Sequence, residues 1–159
     1  MKVGLTLPHY DFSLPGEDRA TFAATAAWAV RAEELDRLGH MNVQHYMGRI
    51  SLAGFAVMEK IGLGERSSHG RKALSMLRCE IDFRRELTEG EAIRIETRMQ
   101  KVGTKSLTFG HRMIVEADGT LAMEATIVAV CIDLDARKSM ALPDEVAATA
   151  DANHAQPNA

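Results

Sequence analysis

Two periods of apolar residues divide the chain. Between residues 42 and 62, Val43, Tyr46, Met47, Ile50, Ala53, Gly54, Val57 and Ile61 recur at spacings of three and four, the signature of one helix face. Asn42 is a good N-cap, and Gly62 and Gly64 are good stops. The pattern therefore predicts a helix of about five turns. Leu52, Phe55 and Met58 lie on its other side, and a helix apolar over so much of its girth is wrapped by other structure. Gly48 and Gly54 lower its helicity, which points to close approach of another backbone.

After the helix the period becomes two. From Leu77 to Leu87, apolar Leu77, Cys79, Ile81 and Phe83 alternate with Arg78, Glu80, Asp82 and Arg84. A turn is predicted at Glu89-Gly90. Ile93, Ile95, Thr97 and Met99 then form one face of a second strand, and Gly103 marks the next turn. Leu107, Phe109, His111, Met113 and Val115 form one face of a third strand, and Asp118-Gly119 signals a hairpin. Leu121–Leu134 reads as the last strand, apolar on both faces between Ala125 and Ile132 apart from Thr126. Such a strand is interior or faces another subunit. Trp28–Leu35 is the expected first strand. The order is strand, long helix, then four antiparallel strands, an α+β chain whose curved sheet wraps the helix.

No repeat is present. Residues 1–20 hold Pro8 and Pro15 and read as an N-terminal extension. Residues 143–159 are rich in Ala, Asp and Asn without a regular apolar period, and are expected to be a flexible tail. The working domain is then about residues 21–142. At 159 residues the chain is one domain in size, and 46% hydrophobic with 26% charged residues is an ordinary globular balance. A net charge of −3 argues against bulk binding to nucleic acid. No apolar run approaches the ~18 residues of a membrane span. The first twenty residues carry Asp11, Glu17 and Asp18 and no apolar core, unlike a secretory leader. Two cysteines, Cys79 and Cys131, make neither a disulfide framework nor a thiolate zinc site. The expectation is a cytoplasmic protein with reduced thiols.

The chemistry concentrates at Glu33-Glu34-Leu35-Asp36-Arg37-Leu38-Gly39-His40-Met41-Asn42-Val43-Gln44-His45-Tyr46. This loop delivers a carboxylate close to a helix N-terminus, whose free amides and dipole can hold an oxyanion. That pairing suits acyl transfer, with the carboxylate attacking a carbonyl or activating water. Gly39 lets the chain turn. Simpler roles stand beside these. Asp36 can cap a turn through its own side chain, His40 can bond local backbone, and Asn42 is a cap first. Tyr46 reads as a core residue with its hydroxyl near the site. His40, His45 and Asp36 do not share one regular element, so no metal site is expected. His111 reads as an inward histidine with its bonds satisfied. Met47 and Met58 read as packing, with an acyl-pocket role open.

Asp36-x-x-Gly39-His40-x-Asn42 followed by Tyr46 resembles the acyl-CoA thioesterases of the hotdog fold, and more closely their 4-hydroxybenzoyl-CoA thioesterase branch. Phe83-Arg84-Arg85-Glu86-Leu87 running into Gly90, and Val102-Gly103-Thr104-Lys105-Ser106-Leu107, extend the likeness over about residues 25–143. The resemblance implies a hotdog fold, an antiparallel sheet of about five strands around one central helix. It implies Asp36 as the catalytic acid and the Val43 backbone amide as oxyanion donor, with Gly39, His40 and Asn42 completing the catalytic loop. Val43 stands where some relatives carry an aromatic residue or histidine, so only its backbone can act. The resemblance also implies CoA lying along a protomer interface, with Tyr46, Arg84, Arg85, Lys101, Thr104, Lys105 and Ser106 as substrate-binding candidates. As a bare pattern, the Arg84-Arg85 and Lys101/Lys105 pairs also fit solvated edge charges. Another hotdog branch places its acid on the central helix. Glu59, near the far end, is the carboxylate available there.

The expectation is therefore an acyl-CoA thioesterase acting as a homodimer or homotetramer. It needs no metal or resident cofactor, because CoA is part of the substrate. Two readings on the same fold compete with it: a non-catalytic acyl-CoA binding module, and an enoyl-CoA hydratase or dehydratase using an Asp36/His40 pair.

Overall fold

The alternation after residue 70 and the helical period before it both appear in the structure, a computed structural model that describes residues 23–63 and 69–154. In chain order the elements are β1 (Ala23–Ala29), α1 (Val43–Lys60), β2 (Lys72–Phe83), β3 (Ala92–Val102), β4 (Ser106–Val115), β5 (Leu121–Asp133), β6 (Lys138–Ser139) and α2 (Asp144–His154). The sheet runs β1-β3-β4-β5-β2, all neighbours antiparallel, with β6 added to the end of β5. Register shifts interrupt every long pairing, at Ala24/Ala26, Met76/Arg78, Met99/Lys101 and Met113/Ile114. Each such irregularity bends its strand and increases local twist. Together they curl the sheet over α1, the hotdog arrangement that the resemblance implies.

The predicted helix is observed almost residue for residue. Asn42 caps it, its side-chain oxygen accepting the Gln44 amide at 3.1 Å, a bond worth about 1 kcal/mol. Gly62 follows at φ 83°, a left-handed turn that glycine adopts without strain. Tyr46, Ile50, Ala53 and Val57 are buried against the sheet. On the opposite ridge Val43, Ser51 and Phe55 are exposed, Val43 by 54% and Phe55 by 57%, while half-buried Met47 packs against the core. The described residues therefore cover only part of the helix. Among the described residues nothing approaches Gly48 or Gly54 closely: a Cβ on either glycine would meet none of their atoms within 4 Å outside the helix itself.

Three further expectations change. The first strand lies at Ala23–Ala29 rather than Trp28–Leu35, and Ala32–Glu34 form a short 3-10 turn. An alanine run carries no apolar alternation, so the pattern caught only its end. The strand placed at 77–87 is Lys72–Phe83; the register shift at Met76/Arg78 takes Leu77 out of the pairing and it is 71% exposed, and Phe83 at the strand end is 52% exposed. The segment after residue 143 is not loose as far as His154. It forms α2, packs on β3, and buries Val146 and Ala150. Two apolar residues one turn apart are too short a period to stand out. β5 lies between β4 and β2, with Ala125, Ile127, Ala129 and Cys131 buried on one face and Val128, Val130 and Ile132 half-buried on the other. Residues 1–20, Gly64 and residues 155–159 lie outside the described residues. Among those described, no helix is long and apolar enough to cross a membrane.

His111 points inward from β4, 1% exposed, but its bonds are only half met. Its Nδ1 lies 2.8 Å from the Thr97 hydroxyl across β3, while buried Nε2 has no hydrogen-bond partner among the described residues. Burial pushes its pKa down to about 4. The unfolded chain thus takes up a proton that the fold refuses between about pH 6.5 and pH 4, and stability falls as pH drops through that window. Urea unfolding should show wild type losing about 2 kcal/mol between about pH 7 and pH 4.5 relative to His111→Leu. Parallel pH dependences in the two proteins would contradict this.

Candidate active site

The loop between the 3-10 turn and α1 closes on itself through its own backbone. Leu35 and Met41 pair as an isolated bridge. The Asp36 amide donates to the His40 carbonyl at 2.8 Å, and the Gly39 amide donates to the Asp36 carbonyl at 3.1 Å. Gly39 sits at φ 81°, where a side chain would be strained. The Asp36 Oδ1 accepts from the Leu38 amide at 2.8 Å and from the His40 amide at 3.4 Å. The turn-capping role is therefore real, and it also fixes the carboxylate's orientation. Oδ2 takes no hydrogen bond among the described residues.

A buried ion pair anchors this loop to the helix. Arg49 Nη2 donates to both Glu34 carboxylate oxygens at 2.6 Å, and both side chains are about 5% exposed. Arg49 Nη1 also donates to the Met41 sulfur at 3.0 Å, and the guanidinium lies 5.3 Å from the Trp28 ring centroid. The Arg31 amide donates to Glu34 Oε2 at 2.8 Å, and His45 Nδ1 approaches Oε1 at 3.8 Å. The Glu34 carbonyl accepts the Asn42 amide at 2.9 Å. Burial lowers the Arg49 pKa, against the pull of Glu34. Neither residue was in the predicted site. The signal was present: Arg49 stands inside the apolar stripe between Tyr46 and Ala53, where an unpaired charge is costly.

At the helix start, the Gln44 amide goes to the Asn42 side chain and the His45 amide to the Asn42 carbonyl. The Val43 amide opens the helix and has no intrahelical acceptor. Tyr46 is buried edge-to-face against Phe83, centroids 5.1 Å apart. Burial raises its pKa, and the Leu87 backbone pulls the other way. Leu87 also accepts the Met41 amide at 2.8 Å, so Tyr46 reaches the site's rim. His40 Nε2 lies 3.1 Å from Glu86 Oε2. Glu59 is exposed near the C-terminal end of α1. Among the described residues, no three His, Cys, Asp or Glu are placed to hold a metal ion.

The basic candidates divide. Arg84 is paired with Glu124 and approaches Asp82 at 3.9 Å, and Arg85 donates to Glu91 at 2.6 Å. Both arginines pair with carboxylates of their own chain; exposed Arg84 fits the edge-charge reading, whereas half-buried Arg85 keeps a buried Nη1 without a hydrogen-bond partner among the described residues. Lys101, Thr104 and Lys105 are exposed and Ser106 half-buried, grouped around the β3–β4 turn. The Asp36 loop meets the opposite end of β3, beside Leu87 and Glu91. At about 3.3 Å per residue, the two ends of β3 are about 30 Å apart. One protomer does not bring the basic turn to its own Asp36.

A cavity of about 120 Å³ lies between α1 and strands β2, β4 and β5; Met58 lines it, and Met47 does not.

The model of the thioesterase-like superfamily matches residues 30–149. A long-chain acyl-CoA thioesterase of Escherichia coli is 26% identical over 117 residues, covering 74% of this chain and 89% of that protein. A betainyl-CoA thioesterase of Pseudomonas aeruginosa is 27% identical, covering 77% and 78%. Among solved structures, a Staphylococcus aureus protein in complex with CoA superposes with a TM-score of 0.76 at 20% identity, over 87% of this chain and 89% of that one. A 1,4-dihydroxy-2-naphthoyl-CoA thioesterase from Synechocystis gives 0.70 at 21% identity, over 86% and 99%. At these identities the superpositions establish the fold.

Breaking the ion pair should be costly. Glu34→Gln leaves Arg49 charged and unpaired in a dry site and should lower the unfolding free energy by about 3–5 kcal/mol. The double variant Glu34→Leu with Arg49→Met should lose markedly less. Urea denaturation of the two variants checks both statements.

Proposed function

The chain belongs to the thioesterase-like superfamily, and from that membership and the Asp36 loop we propose that it hydrolyses an acyl-CoA thioester to free acid and CoA. The observation that carries the reading is the Asp36 carboxylate. One of its oxygens is tied into the loop and the other is left for chemistry, one short segment before the open Val43 amide. In the general-base route, Asp36 takes a proton from water as the water oxygen bonds the thioester carbon. In the covalent route, Asp36 itself bonds that carbon and water later cleaves the acyl-carboxylate. In both, the Val43 amide holds the oxyanion, a contribution of about 3–4 kcal/mol in the transition state. The C–S bond then breaks and CoA leaves as its thiolate, which takes up a proton. The hydratase alternative draws less support, because the His40 ring is paired with Glu86.

The separation along β3 supports an assembly of more than one chain. The basic turn of Lys101, Thr104, Lys105 and Ser106 serves the CoA phosphates at the site of a second protomer, in at least a homodimer. Protomers meet through the open edge of β2, where Met76, Leu77 and Phe83 are exposed. This also covers apolar surface that a lone protomer leaves to water.

Asp36→Asn should lower kcat by about 10²–10⁴-fold while CoA affinity holds. Thiol release and calorimetric CoA binding measure the two. Wild-type turnover in the variant rejects the hydrolase reading. Saturable acyl-CoA binding by the natural chain without thiol release makes it a binding module. Leu77→Lys should raise the dimer dissociation constant about tenfold or more and lower activity in step. Sedimentation velocity, paired with rates at several protein concentrations, checks that link.

A further inference from the structure

We propose that the cavity between α1 and the sheet receives the far end of a long acyl group, and that His111 selects chains carrying a hydroxyl there. The inference rests on the thioesterase reading and assigns that site a substrate class. The cavity walls are mostly hydrocarbon: Ile50 on α1, Leu74 on β2, Phe109 on β4 and Ile127 on β5, with Phe55 at the mouth; exposed Ser51 on α1 adds one hydroxyl to the lining. At about 120 Å³ it is somewhat smaller than an apolar cavity of about 150 Å³ that accommodates benzene. It fits a few carbons of a chain, not a whole long acyl group.

Reach sets the chain length. Ile50 lies seven residues beyond Val43 on the same helix, about 10 Å along the axis at about 1.5 Å per residue. An acyl group whose carbonyl sits at the Val43 amide enters the cavity only after spanning that distance. Short acyl groups end before it.

His111 sets the polarity. It lines the cavity, is 1% exposed, and its Nε2 has no hydrogen-bond partner among the described residues. Its Nδ1 is already bonded to Thr97. Depending on which way that bond runs, Nε2 is a donor or an acceptor. A ligand hydroxyl pairs with either form, a carbonyl with only one, and a methyl with neither. The ring is neutral because burial keeps its pKa low. A carboxylate-terminated chain would bury its charge without a counter-ion and is disfavoured.

The test compares dodecanoyl-CoA with its counterpart hydroxylated near the chain end, on wild type, His111→Leu and His111→Gln. Wild type should favour the hydroxylated thioester by about fivefold or more in kcat/KM. His111→Gln, whose amide offers both a donor and an acceptor, should keep a preference, and His111→Leu should reverse it. The ratio is taken within each protein, so changes in folded fraction cancel. Calorimetric binding of the two free acids repeats the comparison without turnover. If no acyl-CoA is hydrolysed, the thioesterase reading fails, while a His111-dependent preference in binding still supports the cavity assignment. The same preference in wild type and His111→Leu, or no binding of either acid, overturns it.

Discussion

The Glu34–Arg49 pair holds the site's two halves together. One comes from the loop before the helix and the other from its second turn, fifteen residues apart in sequence. Their carboxylate and guanidinium meet where water is nearly excluded, so attraction alone would barely offset desolvation. The remaining contacts supply the difference: the Arg31 amide on the acid, and the Met41 sulfur and Trp28 face on the base. Glu34 also acts through its backbone, taking the Asn42 amide that begins the helix cap. A single residue thus fixes both where the Asp36 bend starts and where the helix opens. The carboxylate and the free amide keep a set relation because each is tied to Glu34.

The curl of the sheet has a separate cause. Register shifts in every long pairing let strands of ten to thirteen residues wrap a helix of eighteen. The same length puts the basic turn and the acidic bend at opposite ends of β3. In the proposed dimer a two-fold axis would bring these unlike ends together.

How much of this was legible in the sequence depended on whether a pattern was local. Val43–Lys60 and strands β3 and β4 were readable because every third or second residue repeats the same signal. The Asp36 bend was readable because Gly39, Asn42 and the helix start lie within a few positions of it. β1 was misplaced because alanine carries little contrast between faces. The ends of α2 carry no such contrast either. The Glu34–Arg49 pair is a contact between distant positions, and only the oddity of an arginine in an apolar stripe hinted at it. The fate of Arg84 and Arg85 could not be read at all. Whether a surface arginine is free depends on which acids the fold sets beside it, here Glu124 and Glu91.

The second helix has a practical corollary. Val146 and Ala150 are buried, Leu142 leads into them, and Glu145 reaches back to His69 at 3.5 Å. Trimming the polypeptide after Leu142 would therefore strip a lid from the sheet rather than remove idle sequence. Affinity handles fused at the carboxyl end belong beyond His154, where they leave that lid seated.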